Sequence, residues 1–267
     1  MDSCGAQRAS VSHCDPLPAL HQPFTSSPSK LWSLVRALAA VCVWSGTSTS
    51  ALAELNTTAL ARFSSNYLYH GYTKSDDHPV VQAHAGVTHT SGVYGGAWLT
   101  QLEFGGAQLE LIPYVGVQHT VAGDFRFDAV LSGYVYDADV FGTNANYVET
   151  SASVDWRGLL GARFSVAFDS YGAGHTTKAA ELKGRYPLTD VLDFTAGAGF
   201  DDLAMVTTYD VVYWNAGFSY FIGAHAVIDL RYVDNVYINE VHGPGVVDRF
   251  VTAEVASRAV LSISVGF

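Results

Sequence analysis

The chain has 267 residues, 49% hydrophobic and 15% charged, with a formal net charge of −11. That length fits one sizeable domain, while the acidic balance excludes a nucleic-acid footprint, which needs basic stripes. No apolar run reaches the roughly 20 residues that a bilayer-spanning helix requires.

Residues 1–29 scatter Pro, Ser and His without any period and read as an unstructured leader or a misassigned start. Met1 and Met205 are the only methionines, so a start near Lys30 needs an alternative initiation codon. From residue 30 the chain has the order of a Sec-type signal peptide. Lys30 and Arg36 form a basic segment, Ala37 to Trp44 an apolar segment, and Ala51-Leu52-Ala53 a cleavage site before Glu54. Cys4, Cys14 and Cys42 all lie ahead of that site. Residues 54–267 therefore contain no disulfide, thiolate metal site or cysteine nucleophile.

From about Arg62 the sequence falls into runs of roughly ten residues with period-two hydrophobicity, separated by Gly, Asp, Asn and Pro. Twelve runs begin near Phe63, Val80, Gly92, Ala107, Gly123, Ala145, Gly158, His175, Asp190, Tyr209, Ala224 and Arg249. On the run from Ala107, Leu109, Leu111, Val115 and Val117 oppose Glu110, Tyr114 and Gln118. Next, Leu160, Ala162, Phe164, Val166 and Phe168 oppose Gly161, Arg163 and Ser165. Trp214, Ala216, Phe218 and Tyr220 oppose Asn215, Gly217 and Ser219, and Ile228, Leu230 and Tyr232 oppose Asp229 and Arg231. In the last run Leu261, Ile263 and Val265 oppose Glu254, Arg258, Ser262 and Ser264, with Phe267 on the apolar side.

Alternation alone fits a soluble sandwich as well as a membrane barrel. Three features select the barrel: an exported chain free of Cys, small and ionisable residues together on the polar face, and aromatics near the run ends. The connections supply an independent check. Thr73 to Pro79, Asp137 to Asn144, Asp169 to Gly174, Asp201 to Thr208 and Val233 to Asp248 are long or acidic, whereas those near Ser91, Ala122, Arg157, Pro187 and Gly223 are short. The fold expected is an all-β, transmembrane, antiparallel up-and-down barrel of about twelve strands, with long loops outside the cell and a periplasmic N-terminus. Phe104 to Gly106 is the exception, a short connection on the long-loop side.

Several segments carry a family likeness: Asn66, Tyr67, Tyr69, Gly71, Ser75, Asp76, Pro79 and Gln82; then Ser91-Gly92-Val93-Tyr94-Gly95-Gly96-Ala97-Trp98; then Asn146-Tyr147-Val148-Glu149; and Leu230-Arg231-Tyr232 with terminal Phe267. Over most of residues 62–267 the chain resembles the TorF-like porins, a bacterial family catalogued as of unknown function (Gcw_chp). The resemblance implies an outer-membrane pore and no established substrate. Phe267 is like the terminal aromatic that barrel-assembly machinery reads. The leader and the connection from Val233 depart from the pattern and inherit nothing.

Glu110, Arg163, Asp229, Arg231, Glu254 and Arg258 are the candidate lumen-lining residues, because opposed charges across a pore order water and select ions. Their alternative reading is mutual neutralisation in a filled interior. Trp214, on the apolar face, reads as an interfacial anchor; Trp98 is ambiguous. The loop carboxylates lack cation-loop spacing, and neither a G-x-S-x-G elbow nor an H-E-x-x-H pair occurs. No catalytic residue, metal or cofactor is expected, and a lipase triad is the third reading. The expected partners are outer-membrane lipid of a Gram-negative bacterium, barrel-assembly machinery and small hydrophilic solutes. The rival function is a structural or adhesive barrel with a closed lumen and partner-binding loops. Both fit the pattern.

Overall fold

The computed structural model describes residues 55–243, 245–246 and 257–266. The leader, the proposed cleavage site, Glu254 and Phe267 lie outside them. The strands are β1 (Leu55–Ser64), β2 (Leu68–Tyr69), β3 (Tyr72–Thr73), β4 (Val80–His89), β5 (Val93–Phe104), β6 (Ala107–Val121), β7 (Phe125–Tyr136), β8 (Tyr147–Trp156), β9 (Leu160–Phe168), β10 (Thr177–Pro187), β11 (Leu192–Asp202), β12 (Asp210–Ile222), β13 (Ala226–Ile238) and β14 (Arg258–Gly266). Among the described residues, twelve of these pair antiparallel with their neighbours and close into a barrel. β1 completes the ring by pairing with β4 on one side and β14 on the other. No described helix is long and apolar enough to cross a membrane.

The apolar side chains face outward. Leu182 is 60% exposed and Leu230 53%, and Phe164, Phe218, Leu261 and Ile263 join them on the outer surface. Buried and part-buried positions alternate with these and carry the polar residues, as in the pattern of β13. A water-soluble sheet would hide the apolar face, so this inversion is the signature of lipid outside.

The connections also divide as their sequences predict. Residues 65–79, 137–146, 169–176, 203–209 and 239–243 cluster with the tight Gly105-Gly106 turn at one end, and short turns occupy the other. The short turns use left-handed glycines, including Gly123 (φ 73) and Gly158 (φ 66), whose twist matches that of the strands they join. The Phe104–Gly106 turn is a feature of the fold: the Phe141 N–H donates to the Gly105 carbonyl at 2.7 Å, tying the neighbouring loop over it.

Two boundaries are corrected. The first barrel strand ends at Ser64 instead of beginning near Phe63; its Thr- and Ala-rich outer face is too weakly apolar to stand out. β13 runs on to Ile238, so the last long connection starts six residues beyond Val233, at 239. β14 begins at Arg258, and the expected start near Arg249 lies outside the described residues. The aromatic stretch after Ser64 turns back on itself, as β2 and β3 pair only with each other.

Candidate functional site

The barrel register lines up the inner-face residues of adjacent strands in rows. One row runs Arg126, Asp155, Gly161, Lys183, Gly197 and Asn215 across β7 to β12. Above it lie Asp128, Ser153, Arg163, Glu181 and Gly199. Charges of opposite sign meet in pairs: Arg163 to Glu149 at 3.0 Å, Arg185 to Asp193 at 2.5 Å and Arg231 to Asp229 at 3.6 Å. The three guanidinium side chains keep 28%, 34% and 30% of their surface exposed. Water therefore reaches the guanidinium groups, while the Glu149 and Asp193 carboxylates behind them are buried.

Inner-face glycines make room for rings that lie against the wall. A Cβ on Gly199 would stand 2.3 Å from the Tyr213 ring, and one on Gly96 2.7 Å from the Tyr114 hydroxyl. These glycines lie in strands and admit side chains, as their sequence setting implies.

At the long-loop end the lumen is filled. Residues 65–79 fold inward, with His70 (φ 46) and Gly71 (φ 85) forming the tip between β2 and β3. Gly71 is required there, since a Cβ would fall 2.3 Å from that of Tyr213. Lys74 is fully buried. Its Nζ donates to Glu110 Oε2 at 2.7 Å and to the Tyr136 hydroxyl at 2.9 Å. The rings of Tyr67, Tyr69, Phe104, Tyr134, Tyr136 and Tyr171 surround it, with centroids 4.4 to 6.0 Å from Nζ. Burial by itself would discharge this lysine, but the Glu110 carboxylate and the Tyr171 hydroxyl together reverse that and raise its pKa. Tyr67 donates its hydroxyl to the other Glu110 oxygen.

Further out, Tyr69 donates to Glu149 at 2.8 Å, Tyr72 meets Tyr171 at 2.7 Å, and His70 meets Asp201 at 2.7 Å. Asn235 donates to the Gly71 carbonyl at 2.6 Å. At the rim, Arg258 grips the Asp77 carboxylate with two N–H groups. A small polar cavity remains between the hairpin and β8 to β11, lined by His70, Glu149, Ser165, Thr177 and Asp201.

The predicted residues distribute as follows. Arg163, Asp229 and Arg231 lie on the inner wall, in ion pairs. Glu110 faces inward but is fully buried, where it meets Lys74 and no open water. Arg258 faces inward at the outer rim, on the hairpin. Trp214 points outward, 38% exposed. Trp98 is buried inside, 4.6 Å from the His84 ring. Sequence reasoning missed Lys74, Tyr67 and His70 as interior residues and Asp77 as the rim partner of Arg258. The available signal was His70-Gly71, a two-residue turn within an alternating aromatic run.

A closed antiparallel barrel with an apolar outer belt and a charged inner wall defines an outer-membrane β-barrel of porin-like architecture. A solved structure shares the fold. The chain matches, over 79% of its length, 83% of a chain from work on the mechanism of in-meso crystallization of membrane proteins, at 7% identity and a TM-score of 0.52. It also covers 98% of the KdgM porin at 6% identity (TM-score 0.48) and 99% of the NanC porin at 9% identity (TM-score 0.48), in each case over 79% of its own length. No curated protein matches it in sequence. The chain belongs to the bacterial family of unknown function Gcw_chp, whose model matches residues 49–267.

Proposed function

We propose that the protein is a porin-like channel of a Gram-negative outer membrane, exported by the Sec-type signal at residues 30–53, through which small hydrophilic solutes or ions diffuse passively. The TorF-like porin name is part of this reading. The observation that carries it is the inner wall, where Arg163, Arg185 and Arg231 remain partly exposed beside their carboxylates. Wetted guanidinium groups backed by more deeply buried carboxylates inside a lipid-facing barrel create a field of the kind that orders water and discriminates ions. Trp214 serves as an interfacial anchor, and Phe267 as the terminal residue read by barrel-assembly machinery.

Refolded protein added to a planar bilayer is expected to give discrete conductance steps, and Arg231→Gln to move the reversal potential in a salt gradient toward cation preference. Silence from protein with verified β-barrel structure, in wild type and variants alike, would sink the reading. The rival is a structural or adhesive barrel with a closed lumen, and the packed outer mouth favours it. In that case Arg231→Gln changes stability without any current to modify.

A further inference from the structure

We infer that the hairpin of residues 65–79 is a removable plug and that Lys74, lodged against Glu110, is its latch. The inference rests on the porin reading. The first argument is backbone economy. β2 and β3 form a separate two-stranded sheet, and the barrel ladder beside them is complete, since Ser64 pairs directly with Val80 at the base of the hairpin. Ser65 stays with the wall, its N–H donating to the Leu261 carbonyl at 2.8 Å, and withdrawing residues 66–78 breaks no bond within any strand pair of the barrel.

The second argument is the nature of the contact. The hairpin is held mainly through side chains, and three of them are tyrosines with hydrogen-bonded hydroxyls. Such rings pack when the hairpin is in and tolerate water when it is out. A permanent core would favour Leu, Ile or Phe.

The third argument is where the charge sits. Lys74 and Glu110 are each fully buried, so either one alone would be an uncompensated charge in a dry site. Lys74 therefore leaves only when water can enter to hydrate Glu110, which stays on β6, and this gives the plug two states with nothing stable between them. The contact is also shielded from salt, unlike the Asp77–Arg258 clasp at the rim.

Three chains tested in planar bilayers decide the matter: the wild type, Lys74→Met, and a variant in which residues 65–79 are replaced by Asn-Gly, a turn suited to joining adjacent strands. The wild type is expected to be mostly closed. Lys74→Met should raise the open fraction at least about tenfold, because the carboxylate left behind opposes closure. The hairpin replacement should be open throughout, with a larger unitary conductance. Adding Glu110→Gln to Lys74→Met should return the open fraction toward wild type, which a general loss of folding would not do.

If all three chains conduct alike, the plug does not exist and the porin reading stands. If the replacement opens the barrel while Lys74→Met behaves as wild type, Lys74 is not the latch and the inference fails. If the replacement, with verified barrel structure, passes no current, the porin reading fails and the inference fails with it.

Discussion

His70 and Asp77 lie in the same connection between strands and respond to pH in opposite directions. Burial would lower the His70 pKa, but Asp201, 2.7 Å away, reverses this and raises it. A raised folded value means that the ion pair stabilises the hairpin fully below the ordinary histidine value of about 6.5 and loses that contribution as pH rises through the folded value. The Arg258 guanidinium holds Asp77 below its ordinary value. Its contribution is present above the unfolded carboxylate value, near 4, and is lost as pH falls through the lower folded value. The hairpin should thus be held best between those limits. Hydrogen exchange of residues 66–78 should be slowest near pH 5 to 6 after correction for the intrinsic rate. His70→Gln should remove the loss of protection on the alkaline side alone. A flat corrected profile across that range would contradict the assignment.

At the scale of the element, one alternating pattern produces two different objects. A barrel strand such as β10 places Leu182 toward lipid and Glu181 and Lys183 toward the lumen, and its register partners Ala162 and Ala198 put Leu182 mid-strand. Leu182→Arg should therefore cost about 2–4 kcal/mol, as charges on the lipid face near the bilayer midplane do. Equilibrium denaturation in lipid measures it, and a change below half a kcal/mol would show that this face does not meet lipid. The stretch after Ser64 alternates equally well, yet it forms the hairpin β2–β3. Periodicity reports that one face differs from the other. It does not report which strand will pair, and so Tyr67, Tyr69 and Tyr72 read as wall when they are filling. The weak contrast of β1, by comparison, was a matter of composition: Thr57, Ala59 and Ala61 stand where other strands carry Val, Leu or Phe.

For the whole molecule, closure depends on β1, which bridges β4 and β14 over registers that include Leu55↔His89 and Ser64↔Ser262. Removing residues 55–64 would leave two unpaired edges in hydrocarbon, where each unsatisfied backbone group costs several kcal/mol. The shortened chain is expected to fail to refold into vesicles, losing its strand signal in circular dichroism and its resistance to trypsin. A trypsin-resistant barrel from that chain would show that β1 is dispensable.

The barrel itself was legible in the sequence, including its twelve strands, its inverted polarity and the alternation of long and short connections. These follow from local chemistry, because side-chain period, turn glycines and strand length act over a few residues. Arg163, Asp229 and Arg231 were assignable to the inner wall for the same reason: a face is fixed once the strand is. What fills the outer half of the lumen was decided only by the tertiary structure. Lys74 and Glu110 are 36 residues apart, and six rings from the hairpin, β5, β7 and the 169–176 loop converge on the ammonium. A contact of that kind depends on how the ring of strands closes and on which loop turns inward, so no local pattern encodes it.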